Sequence, residues 1–433
     1  MSEWTETTLG KLCKFQAGDA FPKDQQGVTM GEYPFIKVSD MNLPGNERLI
    51  QRSNNWIRKA DASKYRLHPP GSVVFAKIGE ALRANRRRVL VRETIIDNNM
   101  MSASPLSGIN PAFLLYVLEG IDFNDISRGS ALPYLAASDL NKLAVKIPGP
   151  ETQQAIAGTL SLLDRKIELN RRMNETLEKM AQTIFRDWFV DFGPTRRKEN
   201  GEADPLAIMG GLTKDPARAA ELSALFPDAV GNDGVPTGWR ERPLDSIADF
   251  LNGLALQKHP AKPNEPDLPV IKIAELRNGL SERTNRAART LPAKYIIRDG
   301  DFIFSWSGSL MAKVWTEGEG ALNQHLFKVS SDLYPQWFYG LWVHHHMPEF
   351  QLIAASKATT MGHIQRMHLT AASTVCPPDA TIAAMSSIMQ PLWDMTIHNA
   401  LENRSLAETR DYLLPRLMSG AVKVGAPVDE GGS

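Results

Sequence analysis

Two stretches of this chain are versions of one another, and that duplication constrains the fold more than any single motif. Trp4, Leu9, Phe15 and Gly18 return as Trp239, Leu244, Phe250 and Gly253, all at a displacement of 235. Pro34-Phe35-Ile36-Lys37 returns as Pro269-Val270-Ile271-Lys272 at the same displacement. Further along, the displacement shortens to 229. Gly71 and Phe75 match Gly300 and Phe304, while Ser127, Leu140, Pro148, Asn170 and Leu177 match Ser356, Leu369, Pro377, Asn399 and Leu406. Asn98 is set against Asn323, and Pro111-Ala112-Phe113-Leu114 against Pro335-Gln336-Trp337-Phe338. So many matches in one order define a repeated unit.

Each unit begins with short β-prone runs broken by Gly, Pro, Asn and Asp. Residues 72–76, 88–91, 143–147 and 301–304 read as strands, and 111–118 and 335–343 as short helices. The fold class that follows is α+β. Each unit ends in a long amphipathic helix. In the first, Ile156, Leu160, Leu163, Ile167, Met173, Leu177, Met180, Ile184 and Trp188 follow steps of three and four, a heptad-like seam interrupted at Asn170. A helix over 151–190 would be about 60 Å long at 1.5 Å per residue. The second seam runs through Met385, Met389, Leu392, Leu406, Leu413 and Leu417, with Thr396, Asn399 and Asn403 among them. Pro391 should kink that helix or delay its start. Two such helices are most simply packed antiparallel on each other, with the asparagines fixing register; separate packing of each helix on its own domain is the alternative.

The expected organisation is a globular domain over 1–148, a spacer helix over 149–192, a linker over 193–235, a second domain over 236–377, a second helix over 378–420 and a tail over 421–433. In the linker, residues 195–201 read as charged and turn-forming, Gly210-Gly211 as a break, and 215–226 as one short helix.

Composition narrows the functional classes. Forty-nine basic residues balance 49 acidic ones among 433, and 42% hydrophobic with 23% charged residues describes a globular chain. No apolar run is long enough for a membrane span, and Met1-Ser2-Glu3-Trp4 lacks the character of a signal peptide. Two cysteines, Cys13 and Cys376, make neither a disulfide framework nor a thiolate metal cluster. A cytoplasmic protein is expected. No phosphate-binding Gly-x4-Gly-Lys-Ser/Thr loop, dinucleotide fingerprint or Asn/Asp-Pro-Pro-aromatic tetrapeptide occurs. Ser305-Trp306-Ser307-Gly308-Ser309 lacks the glycines of a serine nucleophile turn. His344-His345-His346 on a helix face different directions, so a helix end is the better reading than a metal site. The densest charge is Arg83, Arg86, Arg87, Arg88 and Arg92, which suits phosphate binding or an ordinary solvated surface.

Together these residues resemble the DNA-specificity subunit of type I restriction–modification enzymes, over nearly the whole chain. The resemblance rests on Trp-x4-Leu in both units, Tyr33-Pro34-Phe35-Ile36-Lys37, Pro70-Gly71 with Phe75, Asp299-Gly300-Asp301, Asn323-Gln324-His325 and Met361-Gly362-His363-Ile364. It rests also on the helix boundaries, residues 147–154, 185–192 and 413–420. It implies two target-recognition domains separated by two long antiparallel helices, each domain reading half of a split duplex DNA target. It implies no catalysis by this chain. Two methylation subunits would dock on the helical spacer and restriction–translocation subunits would join, with S-adenosylmethionine, ATP and Mg on those partners. A duplicated coiled-coil scaffold that binds only protein, or a stand-alone methyltransferase or nuclease, is the alternative.

On this reading the DNA contacts of the first domain are Lys77, Arg83, Arg86, Arg87, Arg88, Arg128, Ser130 and Tyr134. Those of the second are Arg283, Arg286, Arg289, Ser307, Ser309, Lys313, Lys357, Thr359, Thr360 and His363. Arginine reaches guanine edges, while Lys, Ser and Thr commonly hold phosphates.

Overall fold

The computed structural model describes residues 4–129, 131–356 and 362–424. It divides into two compact units: residues 1–168 with 406–433, and residues 169–405.

In the first unit, Thr5–Thr8 pairs antiparallel with Ala144–Ile147, which ties the start of the domain to the strand just ahead of the long helix. Leu9 N–H then donates to Leu143 O at 3.0 Å. The main sheet has five strands in the order Cys13–Ala17, Met100–Pro105, Val73–Ala76, Arg88–Leu90, Leu49–Ile50. A second sheet orders Trp56–Ile57, Tyr33–Ile36 and Ile95–Ile96. The helix Pro111–Glu119 starts where Asn110 accepts hydrogen bonds from Ala112 and Phe113 N–H, with proline at the first turn. Its apolar side packs Phe113, Leu114 and Leu118 against Val73, Phe75 and Phe123.

The second unit repeats this plan. Arg240–Pro243 pairs with Ser373–Cys376, and Leu244 N–H donates to Ala372 O at 2.8 Å. Its main sheet has four strands, Asp249–Asn252, Leu326–Ser330, Phe302–Ser305 and Met311–Val314, and the second orders Arg286–Ala288, Asp267–Ile271, Gly320–Leu322 and Ile296–Ile297. The short-helix expectation at 335–343 is exceeded: the helix runs Gln336–Ser356, past Pro348.

The long helices span Pro150–Phe185, continuing as a π-turn over Arg186–Val190, and Asp379–Met418. The second does not start late: it runs on through Pro391, which stands on the exposed side. Within the second unit Asn170 donates to Asn403 Oδ1 (3.0 Å) and Glu402 Oε2 (2.6 Å), while Asn399 donates to Asn174 Oδ1 (2.8 Å). Partners descend as the first helix ascends, so the helices run antiparallel. Within the first unit Asp164 meets Arg410 at 3.0 Å.

The seam is less uniform than the heptad pattern implies. Ile156, Leu160, Ile167, Ile184, Met385, Met389 and Leu417 are buried, and Leu163, Leu177, Leu392, Leu406 and Leu413 half-buried. Met173 and Met180 are exposed, 40% and 46%, and leave the seam. Ile156, Leu160 and Leu417 belong to the first domain's core, and Ile184, Met385 and Met389 to the second's. Apolar packing thus sits where helices meet domains, and asparagine amides occupy the stretch between.

Residues 193–235 form helices Gly193–Glu199, Pro205–Ile208 and Pro216–Ser223. Residues 195–201, read as a turn, are largely helical because Arg197 and Lys198 are satisfied at close range. Arg197 grips Asp187 at 3.0 and 2.8 Å, and Lys198 donates to Phe226 O at 2.7 Å. Ile208, Met209, Leu222, Phe226 and Val235 share a core with Trp188, Phe189 and Trp239. Burying aromatic side chains of this size stabilises by about 1.5–3 kcal/mol each, so the segment is an integral part of that core.

Candidate nucleic-acid interface

In the first unit the central strand Val73–Ala76 runs out into Lys77-Ile78-Gly79, where two other segments meet it. Lys77 N–H donates to Asn99 O (2.9 Å), Leu135 N–H to Lys77 O (2.8 Å), and Gly79 N–H to Pro133 O (2.8 Å). Arg128 and Tyr134 exchange two main-chain bonds of 2.9 and 2.8 Å, and Ile78 bridges to Tyr134.

The second unit repeats the bonds of Lys77, Ile78 and Gly79 at the matching positions of the repeat. Ile364 N–H donates to Trp306 O (3.0 Å), Gly308 N–H to Gly362 O (2.7 Å), and Ser307 bridges to His363. Trp306 N–H reaches His325 O at 3.4 Å, as Lys77 reaches Asn99.

A tight turn supplies one wall of each site. Asp97 Oδ1 accepts Asn99 N–H at 2.8 Å, and Asn323 Oδ1 accepts His325 N–H at 3.3 Å. The match of Asn98 with Asn323 is therefore corrected by one residue. Asp97 takes Asn323's place because the turn needs a side-chain carbonyl oxygen two residues before the donor. Gly18 and Gly253 pass so close that a Cβ would lie 2.2 Å from Ile96 O and from Asn323 O respectively, which only glycine permits.

The side chains differ between the two sites. Lys77 is half-buried at the first, with Asn98, Asn99, Arg128 and Tyr134 exposed around it. Arg128 is paired with Asp139 at 2.5 Å. At the second, Trp306 donates from Nε1 to Asn252 Oδ1 (3.0 Å) and lies 5.9 Å from His325 and 6.3 Å from His363, ring to ring. Ser307 is buried and its Oγ meets His325 Nδ1 at 3.0 Å, while Gln324 Nε2 meets His325 Nε2 at 3.2 Å. Trp306, Gln324 and His325 were not among the expected contact residues. The match of Trp306 to Lys77 and the Asn323-Gln324-His325 element carried the signal.

Other expected contacts scatter. Arg83 and Arg86 are exposed, Arg83 pairing with Glu80 at 3.0 Å and Arg86 bonding the Asn42 side chain. Arg87 turns inward instead: 3% exposed, it lies 3.7 Å over the Phe123 ring and donates to Asn85 O and Ile121 O. Burial holds Arg87 and Arg88 down to about 10, and Arg88 donates to Met41 O and Arg87 O. The arginine cluster is thus not one surface. Arg283, Arg286 and Arg289 are exposed, with Arg286 on Asp267 at 2.6 Å and Arg289 paired with Glu319. Ser309 is exposed beside the second site, whereas Lys313 lines a cavity against the long helices. Ser130, Lys357, Thr359 and Thr360 lie outside the described residues.

The triple histidine serves packing. Burial pushes His344 down to about 4, His345 stands edge-on to Trp342, and His346 Nε2 lies 2.8 Å from Ser373 O. Among the described residues no three His, Cys, Asp or Glu side chains are grouped to hold a metal, and no helix is long and apolar enough to cross a membrane.

The family model for the type I restriction modification DNA specificity domain matches residues 1–179. The HindI specificity subunit of a type I restriction enzyme from Haemophilus influenzae is 24% identical, across 98% of this chain and 100% of its own. The MjaIX specificity subunit of Methanocaldococcus jannaschii is 23% identical, across 98% and 97%. The crystal structure of the type I restriction–modification S subunit from M. genitalium covers 96% of both chains with a TM-score of 0.53 at 14% identity, a likeness of fold. Residues 1–179 thus match the type I DNA specificity domain, and nearly the whole chain is similar to specificity subunits of type I restriction enzymes. The role that these relatives' names state is specificity within type I restriction enzymes.

Proposed function

We propose that the two strand-end sites are the reading surfaces of this subunit, each addressing one half of a bipartite duplex DNA target. The observation that carries this is the recurrence of one hydrogen-bond framework, at matching positions of the repeat, beneath different side chains. A shared framework holds main chains alike while the exposed groups set the sequence read. The carboxamides of Asn98, Asn99 and Gln324 suit adenine edges, Lys77 suits guanine or phosphate, and Tyr134 and Trp306 offer apolar faces to thymine methyls. Exposed Arg83, Arg86, Arg128, Arg283, Arg286 and Arg289 suit the phosphate backbone. The surface ion pairs of Arg83, Arg128, Arg286 and Arg289 are worth little and exchange readily for phosphate.

In this reading the paired helices fix the distance between half-sites and dock two methylation subunits, with restriction–translocation subunits joining them in the cytoplasm. Those partners hold S-adenosylmethionine, ATP and Mg. The test is methylation by the reconstituted complex on duplexes whose half-sites are separated by different spacers. A sharp optimum supports the reading; equal methylation across spacers differing by several base pairs defeats it.

A further inference from the structure

The main sheets of the two units differ at one edge. In the first, strand Arg88–Leu90 is covered by Leu49–Ile50, which pairs with it in parallel. Arg48, immediately before that covering strand, reaches Asp164 of the long helix at 2.6 Å and pairs with Glu119. In the second unit the matching strand is Met311–Val314. Lys313 stands opposite Ile303 as Arg88 stands opposite Val74, and Ile303 and Val74 are matched positions of the two central strands. Among the described residues, no strand pairs with its outer side. A cavity of about 310 Å³ lies between that edge and the two long helices. Trp393, which holds the place of Asp164 in the second copy, forms part of its wall.

The cavity says what would fill it. An uncovered strand edge offers main-chain donors and acceptors to an extended segment. Leu177, Val314, Leu392 and Ile397 line the space with aliphatic surface, and Glu178 brings a carboxyl to it. Burial, with Glu175 close by, pushes that carboxyl up, and an incoming cation would pull it down again. Lys313 is no bar. Arg48 and Arg88 lie near each other in the first unit with Glu119 offsetting both, and Glu317 acts likewise on Lys313.

We propose that the outer edge of Met311–Val314, with the cavity beneath it, is a docking site for an extended arginine-bearing segment of a partner protein. The segment adds a fifth strand, as Leu49–Ile50 does in the first unit, and sets its arginine against Glu178. The chain's own covering strand supplies the probe: a labelled peptide Gly-Asn-Glu-Arg-Leu-Ile-Gln-Arg, the sequence of residues 45–52, titrated onto the full chain by fluorescence anisotropy. The expected result is saturable binding with slowed amide exchange at Met311–Val314. Binding should weaken about tenfold in the Glu178→Gln chain, the size of one charge-assisted contact. It should vanish in an Ala400→Trp chain, whose side chain plugs the cavity, and with a peptide carrying proline for Ile50, whose N–H the parallel register turns to the strand because Arg48 O accepts Val89 N–H. Thermal melts matching the parent establish that each variant is folded. No saturation at millimolar peptide, equal binding by the proline peptide, or protection at Arg88–Leu90 instead would overturn the proposal.

Discussion

The helix Pro111–Glu119 in the first unit and the start of Gln336–Ser356 in the second make the same contact with a long helix in two chemistries. In the first, Tyr116 donates to Asp164 Oδ2 at 2.6 Å, and that carboxylate also takes Arg48 (2.6 Å) and Arg410 (3.0 Å). In the second, Gly340 makes room for Trp393, whose ring lies 6.0 Å from Phe302 and whose Nε1 donates to Gln336 at 2.9 Å. A Cβ on Gly340 would come within 2.6 Å of that ring. Duplicated architecture therefore constrains where a domain is held to its helix, and leaves the means of holding free. The polar junction depends on every charge keeping its partner, whereas the aromatic one depends on fit.

That contrast sets the expected sizes of perturbation. Trp393→Ala should cost about 3–5 kcal/mol through lost burial and the cavity left behind, independent of salt, measured by urea unfolding. Asp164→Ala should cost about 2–3 kcal/mol, because it removes the carboxylate that Arg48 and Arg410 share in a largely buried place and leaves them only Glu119 and Asp411. Replacing Arg48, Asp164 and Arg410 together by apolar residues should recover much of it. Equal losses in the single and triple variants would show that the ion network is not what holds the first junction.

Acid should act on the first unit through His68. Only 1% exposed and 2.7 Å from Ser102 Oγ, it is lowered by burial from 6.5 to about 4. Between those values the unfolded chain binds the proton and the fold does not. Stability contributed by the neutral ring is therefore present above pH 6.5 and lost as pH falls towards 4, by about 3 kcal/mol. His68→Gln should flatten that part of the pH profile in thermal melts. Smallest is Lys77→Ala, expected to weaken duplex binding by about 1 kcal/mol and lower the salt slope by about one if Lys77 holds a phosphate. An unchanged slope with relaxed sequence choice would place it on a base.

Much of this was legible in the chain. The duplication, both long helices and the strand at 72–76 all announce themselves through repetition and apolar period. What stayed hidden depends on partners distant in sequence. Arg87 looks like a surface cation until Phe123 and Ile121 O enclose it. Residues 195–201 look like a turn until Asp187 and Phe226 O satisfy their cations. Met173 and Met180 fit the heptad but face outward, because asparagine pairs hold the middle of the helices together. The proposed reading sites were half visible. Loop chemistry singles out His363, Tyr134 and Ser307, whereas Trp306, Gln324 and His325 needed the bonds that align them with Lys77 and the Asp97 turn.

The central claim is that one framework, used twice, reads two half-sites independently. Its most direct test is methylation by the reconstituted complex on a library randomised at every target position and in spacer length, comparing the parent chain with Gln324→Ala. The account predicts relaxed choice within one half-site only, with the other half and the spacer optimum unchanged. Relaxation of both halves together, or a library profile identical to the parent's, would contradict it.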